Sequence, residues 1–259
     1  MTACERGSRI GARKRPRAVT ISAAPARRPL EKSINATRSL PWLTALSATA
    51  AILAFIGVLP ASLAFLFKPL TTVLIIAFAW PRGEAQPMQR RWVRAGLLLS
   101  LVGDVALLWP TAGFLPGLIA FLLVHLAYIA AFCVPTRFAA RPLAFVAYAL
   151  LAAIVLSQLW AGVPAALRAP VVAYVLCLAA MASQAAVWWR VATGGADAAL
   201  ARHAAIGGML FMASDSLLAI NRFAVPLPLS SLWILLTYWA AQWCIASSLH
   251  PLEQARKAA

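Results

Sequence analysis

Apolar runs of about twenty residues recur along this chain from residue 41 to residue 249. One such run is long enough for an α-helix to cross the hydrocarbon core of a bilayer, which is roughly 30 Å thick. Pro, Gly and Arg divide the apolar part into segments near 41–59, 62–80, 95–110, 113–133, 142–160, 169–189, 203–222 and 231–249. The sequence therefore predicts an all-α polytopic membrane protein, a bundle of eight transmembrane helices.

Basic residues are distributed unevenly between the two ends of the predicted helices. All of the 23 Lys and Arg except Lys68, Arg168 and Arg222 lie in the N-terminal tail or in one set of loops. Those loops are residues 81–94, 134–141 and 190–202 and the C-terminus from 250. Because basic loops stay in the cytoplasm, both termini are expected there, an N-in/C-in topology. The expected location is a bacterial cytoplasmic (inner) membrane.

Residues 1–40 are rich in Lys and Arg, contain only two acidic residues, and have no apolar run that could build a core. They predict a disordered basic cytoplasmic tail. A transit peptide and an over-long start of the reading frame fit the same composition. No aromatic residue is present for bases to stack on, so nucleic-acid binding is not expected. The predicted domains are thus 1–40, the helical domain 41–249, and a short cytoplasmic tail at 250–259.

Two of the seven acidic residues, Asp104 and Asp215, lie inside apolar segments. An ionisable group at bilayer depth is costly, which makes it a candidate for a functional site. Both lie close to the middle of their predicted helices, and these helices, the third and seventh, occupy equivalent places in two four-helix halves. His125 on the fourth helix and Gln242 on the eighth lie at a similar depth. We therefore predict one polar site that contains both acids.

Helical periodicity places the polar residues on faces that also carry small residues. The three stripes are Gly96, Ser100, Gly103 and Asp104; Gly117, Phe121, His125 and Tyr128; and Gly207, Gly208, Phe211, Asp215, Leu218 and Arg222. Small residues allow helices to approach closely, so these faces are expected to point into the protein. Arg168 is expected to extend to the membrane surface, as long basic side chains do. Taken alone, His125 fits an ordinary core histidine; beside two acids and Lys68 it fits a site.

These motifs resemble the YhhN-like family of integral membrane proteins, which includes lysoplasmalogenases, over residues 41–249. The matching motifs are Lys68-Pro69-Leu70-Thr71-Thr72, Ser100-x-x-Gly103-Asp104-x-x-Leu107-Leu108, Phe114-x-x-Gly117-x-x-x-Phe121-x-x-x-His125-x-x-Tyr128, Gly207-Gly208-x-x-Phe211-x-x-Ser214-Asp215-x-x-Leu218-Ala219 and Tyr238-x-x-Ala241-Gln242. The resemblance implies an ether-bond hydrolase that cleaves the vinyl ether of a lysoplasmalogen to a fatty aldehyde and glycerophosphoethanolamine or glycerophosphocholine. Its partners would be a lysophospholipid substrate and the bilayer. No metal or other cofactor is expected, and the oligomeric state is left open.

The residue types suit that chemistry, because a vinyl ether hydrolyses by proton transfer to its β-carbon and capture of the resulting oxocarbenium ion by water. A coupled pair of carboxyls can supply both an acid and a stabilising anion. His125 and Tyr128 are candidates to orient the water, and Lys68 and Arg222 to hold the phosphate. The predicted catalytic residues are Asp104, Asp215, His125 and Tyr128. The predicted substrate-binding residues are Lys68, Thr72, Ser100, Ser214, Asn221, Arg222, Tyr238 and Gln242.

Two other classes of function use the same residues. A transporter or channel could carry protons or cations on the Asp pair, and would be expected to have helices broken near the midplane. A structural membrane protein could bury Asp, His and Lys simply as paired groups. The sequence does not distinguish a lysoplasmalogen from a related enol ether as the natural substrate.

Overall fold

A computed structural model describes residue 2 and residues 27–251 of the chain. The described part contains eight α-helices and no strand, which confirms the predicted all-α fold. The helices are α1 (Arg27–Phe55), α2 (Ser62–Ala79), α3 (Pro87–Ala106), α4 (Phe114–Cys133), α5 (Pro142–Leu159), α6 (Ala165–Ala192), α7 (Ala198–Phe223) and α8 (Ser230–Ser247). A 3₁₀ turn, Trp160–Gly162, follows α5.

The helices agree with the predicted segments except at some ends. α3 begins at Pro87 rather than at residue 95, because a proline in the first turn suits a helix start and its arginines are compatible with a helix. α1 begins at Arg27, inside the range predicted to be a disordered tail. The chain divides into two compact units, Met1–Ala36 and Thr37–Ala259. Most of the predicted tail 1–40, and 252–259 of the predicted C-terminal tail, lie outside the described residues.

Five of the described helices, α2, α4, α5, α6 and α7, are long and apolar enough to cross a membrane. The apolar part of α1, Ser39–Phe55, is shorter, and α3 and α8 carry more polar residues. The chain is therefore an integral membrane protein with five candidate spans by length and composition. Length and composition alone do not identify α1, α3 and α8 as the additional spans of the predicted eight-helix bundle.

Six helices of the second unit form a closed ring in the order α2, α3, α4, α6, α7 and α8, with α8 returning to α2. α5 packs outside this ring against α6 and α7. On the other side, Ser47 of α1 hydrogen-bonds Thr71 of α2 at 2.9 Å. Advancing each helix by four places reproduces the pattern: α2–α3 becomes α6–α7, α3–α4 becomes α7–α8, and α4–α6 becomes α8–α2. This arrangement agrees with the two equivalent halves suggested by the sequence.

The small residues of the predicted stripes lie where helices pack most closely. A Cβ atom on Gly96 of α3 would lie 2.2 Å from the Tyr128 ring of α4, and one on Gly103 would lie 2.6 Å from the Phe121 ring. Neither contact could exist with a larger residue, since atoms this close overlap. The close approach of α3 and α4 buries Ser100 and Asp104, as the stripe predicted.

Candidate active site

A cavity of about 240 Å³ lies near the end of the ring where α3 and α7 end and α8 begins. Both predicted acids, Asp104 and Asp215, lie on its wall. Other predicted residues also line it: Lys68 from α2, Tyr238 from α8, and Ser214, Asn221 and Arg222 from α7. The cavity therefore brings seven of the predicted site residues together, including both acids. The other five do not line it: Thr72, Ser100, His125, Tyr128 and Gln242.

Asp104 is almost completely buried and is held by three side chains from two neighbouring helices. Its Oδ2 atom accepts hydrogen bonds from Thr72 Oγ1 at 2.5 Å and from Tyr238 Oη at 2.8 Å. The Nζ atom of Lys68, also buried, lies 3.8 Å from its Oδ1 atom. A buried charge requires this kind of compensation, because desolvation without a partner is costly. Asp104 is thus surrounded by donors and one positive charge.

The direction of these hydrogen bonds is fixed by a further layer of donors. Trp239 Nε1 donates to Thr72 Oγ1 at 3.4 Å, and Gln242 Nε2 donates to Tyr238 Oη at 3.3 Å. Each hydroxyl oxygen already accepts one hydrogen, so its own hydrogen is directed to Asp104. The surroundings of Oδ2 are therefore suited to a carboxylate, which only accepts hydrogen bonds.

Gln242 connects this layer to α3 and α4. Its Oε1 atom accepts a hydrogen bond from Tyr128 Oη at 2.6 Å, and its Nε2 atom donates to Ser100 Oγ at 2.6 Å. Ser100 in turn donates to the carbonyl oxygen of Gly96 at 2.9 Å. Because every polar atom here has a partner, Tyr128, Ser100 and Gln242 are brought together as a buried support for Tyr238. They do not line the cavity.

Asp215 has a different set of neighbours. Its Oδ2 atom accepts a 2.5 Å hydrogen bond from Tyr174 Oη of α6. His125 Nε2 of α4 lies 3.4 Å from the same oxygen. The His125 ring is fully buried, with the Tyr174 and Phe211 rings packed edge-on against it at 5.1 and 4.9 Å between centroids. Neither ring nitrogen has a hydrogen-bond partner among the described residues, so His125 has capacity for a proton or a further ligand.

The two carboxyls occupy equivalent positions in the two halves of the ring. Asp104 on α3 is contacted from α2 and α8, and Asp215 on α7 is contacted from α6 and α4. When four is added to each helix number, counting on from α8 to α1, the helices around Asp104 become the helices around Asp215. The chemistry of the sets differs, since a lysine and two hydroxyls surround Asp104 whereas one hydroxyl and an imidazole surround Asp215. Within the described residues, no hydrogen bond joins the two carboxyl groups.

The remaining predicted residues on α7 have separate local roles. Ser214 Oγ donates to the carbonyl oxygen of Ile234 on α8 at 3.0 Å. Asn221 Oδ1 accepts a hydrogen bond from the Leu227 backbone N–H at 2.9 Å and so fixes the loop after the helix. The guanidinium of Arg222 lies 5.0 Å from the centre of the Phe114 ring, and the residue is exposed. Arg222 is therefore an exposed cation on the wall of the cavity, and no carboxylate of the described residues forms an ion pair with it.

The family model for YhhN matches residues 63–249 of the chain. The chain belongs to the YhhN family. The match begins in α2 and extends past the end of α8, so it includes every helix of the ring and both carboxyls. It does not include α1, although the sequence resemblance was drawn from residue 41.

Several proteins similar to this YhhN family member are named lysoplasmalogenases. Human lysoplasmalogenase TMEM86B is 35% identical over 189 residues, which cover 71% of this chain and 74% of the relative. Human lysoplasmalogenase TMEM86A is 33% identical, covering 66% of this chain and 72% of the relative. A lysoplasmalogenase of Mycobacterium bovis is 36% identical, covering 61% of this chain and 59% of the relative. No solved structure matches the chain.

Two residues of this YhhN site were missed from sequence. Tyr174 hydrogen-bonds Asp215, and Trp239 hydrogen-bonds Thr72. A signal for Tyr174 was present, because the chain has only four tyrosines and one inside an apolar helix needs a partner for its hydroxyl. Trp239 gave no comparable signal, since ten tryptophans are spread along the chain.

No group of three or more His, Cys, Asp and Glu side chains that could hold a metal ion occurs in the described part of the chain. The cavity offers carboxyl, hydroxyl, ammonium and guanidinium groups, and the fully buried His125 imidazole lies against Asp215 outside the cavity wall. Such a set can transfer protons and stabilise charge, which are the two tasks of acid-base catalysis.

Proposed function

We propose that this protein is a lysoplasmalogenase-like hydrolase that cleaves the vinyl ether of a lysoplasmalogen inside the membrane. The observation that carries the proposal is that a buried carboxyl and a partly buried one, with different partners, line one cavity that also has an exposed arginine on its wall. The names of the similar human and mycobacterial proteins support it. The products would be a fatty aldehyde and glycerophosphoethanolamine or glycerophosphocholine.

The reaction begins with transfer of a proton to the β-carbon of the vinyl ether, which converts the double bond into an oxocarbenium ion. Water then attacks the α-carbon and loses a proton to a base, giving a hemiacetal. The hemiacetal loses its hydroxyl proton and releases the glycerol oxygen, which takes up a proton. One water is consumed, and the acid and base are restored. The protein must therefore supply a proton, accept a proton, and stabilise a positive charge.

Asp215 is assigned as the acid and Asp104 as the stabilising carboxylate. The donors directed at Asp104 support its role as the anion, because Lys68, Thr72 and Tyr238 all favour a carboxylate there. Within the described residues, no lysine forms an ion pair with Asp215. It is the more exposed of the two carboxyls, with 12% of its side chain accessible against 2% for Asp104. That exposure supports contact with substrate.

His125 is assigned the role of orienting the attacking water. Its Nε2 atom lies 3.4 Å from Asp215, so the two groups could share a proton as it passes between substrate, water and protein. Its ring is held edge-on between Tyr174 and Phe211, which limits rotation. Tyr128, the other candidate, donates its hydrogen bond to Gln242 and is therefore assigned to support of the site.

Arg222 is assigned to the substrate phosphate. A guanidinium forms short charge-assisted hydrogen bonds with phosphate, and this one is exposed at the cavity rim. Lys68 also lines the cavity, but its ammonium is 3.8 Å from Asp104 and already has an anion beside it. If the phosphate binds at Arg222, the vinyl ether of the same molecule can extend to the carboxyls deeper in the cavity.

The membrane topology completes the proposal. We infer that all eight helices span the membrane, with both termini in the cytoplasm of a bacterial cell, from the distribution of basic residues. α3 and α8 can be more polar than the others because both belong to the ring and pack against neighbours there. With this orientation the end of the ring that contains the cavity faces away from the cytoplasm.

A transporter that uses the same acids is less well supported. Proline does occur inside two equivalent ring helices, as Pro69 in α2 and Pro170 in α6. Both helices nevertheless continue without a break through these prolines. Transport sites of this kind use discontinuous helices whose free backbone groups bind the substrate. The hydrolase is therefore the function that we put forward.

The proposal is tested by incubating purified protein with lysoplasmenylethanolamine and, separately, with lysophospholipids that carry an acyl ester or a saturated ether in place of the vinyl ether. Chromatographic product analysis should find a long-chain aldehyde and glycerophosphoethanolamine from the vinyl ether alone. The saturated ether is the matched control, because it keeps head group and tail but has no double bond to protonate. Release of products from the ester but not from the vinyl ether would overturn the proposal.

A further inference from the structure

Another cavity, of about 70 Å³, lies between α5 and the ring. Its wall is almost entirely aliphatic and aromatic and comes from α4, α5, α6 and α7, together with Leu107 just after α3. The ionisable groups on it are Asp215 and Tyr174, which hydrogen-bond to each other. An apolar cavity that contains one end of a reactive pair is suited to an apolar part of a ligand.

α5 contributes a single stripe to this cavity: Ala152, Val155, Leu156 and Leu159. These positions follow the i, i+3, i+4, i+7 spacing of one helix face. Ala152 and Leu159 are the buried residues of α5, whereas neighbours such as Ala153 are exposed. The inner face of α5 is therefore used to close this cavity against the ring.

The apolar cavity and the polar cavity share part of their walls. Leu107, Phe114, Phe121, Asp215 and Leu218 line both. Asp215 is therefore the carboxyl common to the two cavities, while Asp104, Lys68 and Arg222 belong to the polar one alone. A ligand with a polar end and an apolar end could place the junction between them at Asp215.

We propose that the apolar cavity binds the alkenyl tail of the substrate, with Ala152 as a residue that sets which tail lengths are accepted. The inference rests on the proposed function, because a lysoplasmalogen has its vinyl ether where the glycerophosphate joins the tail. With the phosphate at Arg222 and the tail beside α5, that bond lies at Asp215. The small side chain of Ala152 leaves room in the wall that a larger residue would fill.

The test compares Ala152→Phe with Ala153→Phe, a matched change on the neighbouring exposed position of the same helix. Both purified variants are assayed for kcat/KM on lysoplasmalogens whose tails range from short to long. Ala152→Phe should lower kcat/KM for long tails at least about tenfold, the effect of excluding roughly two methylene groups from apolar contact. It should change the value for the shortest tails much less, and Ala153→Phe should keep the wild-type profile.

Val155→Ala provides the opposite change, and it still tests the proposal if the Ala152→Phe protein does not fold. It enlarges the cavity, so the preference should move towards longer tails. Wild-type protein that releases no aldehyde from any tail length would overturn the proposed function itself. Active wild-type protein with an unchanged tail-length profile in both folded variants would overturn the tail site alone. That second result would also be expected if the cavity holds only a bilayer lipid.

Discussion

Tyr174 donates a 2.5 Å hydrogen bond to Asp215 across the α6–α7 interface. Thr72 donates one of the same length to Asp104 across the equivalent α2–α3 interface. Each carboxyl is thus anchored by a hydroxyl from the preceding ring helix. The two halves then diverge, because Lys68 stands beside Asp104 and His125 beside Asp215. An arrangement with equal anchors and unequal partners can give two carboxyls different catalytic tasks.

The first prediction concerns this anchor. Tyr174→Phe removes the hydroxyl and keeps the ring that packs against His125. Asp215 becomes a carboxylate as it gives up its proton, and hydrogen bonds to charged groups contribute about 1.5–3 kcal/mol, so turnover should fall roughly 10- to 100-fold. KM should change little, because the ring still fills its space. Tyr148→Phe on α5 is the control; steady-state kinetics that show equal kcat for the two variants would argue against a role of the Tyr174 hydroxyl.

The second prediction concerns the phosphate. Arg222→Gln should raise KM for a lysoplasmalogen roughly tenfold or more with little change in kcat, because one charge-assisted contact is lost. Arg168→Gln is a matched control, since Arg168 is also exposed and also lies over an aromatic ring, that of Trp160. A neutral alkenylglycerol without phosphate should show the same KM with wild type and Arg222→Gln. An equal rise of KM for that neutral lipid would mean that Arg222 does not bind the phosphate.

Hydrophobic periodicity was sufficient to predict most of the helices and their faces. The predicted segment 113–133 corresponds to α4, Phe114–Cys133, and the stripe with His125 does face the protein interior. The first turns of α3 were missed because Arg90, Arg91 and Arg94 read as a loop, although arginine is a good helix former. The composition of a segment distinguishes membrane-embedded from water-exposed residues more sharply than it distinguishes helix from loop. This difference explains the error.

The site was predicted in its residue types but not in its connections. Depth along a helix and position on its face placed Asp104, Asp215, Tyr238 and Gln242 in one region. They did not show which helices are neighbours in the ring. The order of the helices determines that Tyr238 hydrogen-bonds Asp104 whereas His125 lies near Asp215. Neighbour order depends on closure of the ring, which is a property of packing between distant segments. Tyr174 was missed for the same reason, since it is important only once α6 lies beside α7.

The third prediction concerns topology. Cysteine is introduced at Gln86, between α2 and α3, or at Val225, after α7, in a protein without its native cysteines. An impermeant thiol reagent should label the Val225→Cys protein in intact cells and the Gln86→Cys protein only after the membrane is opened, as the basic loops predict. Val225 is 55% exposed, so its thiol would be accessible. The reverse pattern would place the cavity end of the ring in the cytoplasm.

The fourth prediction concerns the N-terminus. Deletion of residues 1–38 should leave folding and turnover close to wild type, because that stretch has no apolar run to bury. The deletion keeps the apolar part of α1, Ser39–Phe55, with its Ser47–Thr71 hydrogen bond. A longer deletion through residue 59 removes both and should reduce the yield of folded protein. Loss of aldehyde release by a well-folded 39–259 chain would assign a working role to the basic tail.

The last prediction concerns the two acids together. Asp104→Asn and Asp215→Asn each keep the side-chain shape and remove the titratable group. Each should lower kcat roughly 10²- to 10⁴-fold, the usual contribution of a positioned acid or base. The double variant should lose little more than the worse single variant, because residues that act as a unit are strongly non-additive.

Binding and a distant carboxyl provide the controls for this pair. Titration with a saturated-ether lysolipid should give similar affinities for wild type and both Asn variants, since the phosphate and tail contacts remain. Asp197→Asn should keep wild-type turnover, because Asp197 precedes α7 and pairs with His250, away from the cavity. If the two acids were only structural, neither change would abolish turnover of folded protein: Asp215→Asn would be tolerated, and Asp104→Asn would lower stability because Lys68 would lose its buried anion. Near-normal aldehyde release by both Asn variants would therefore exclude the acid–carboxylate mechanism, even for a member of the YhhN family.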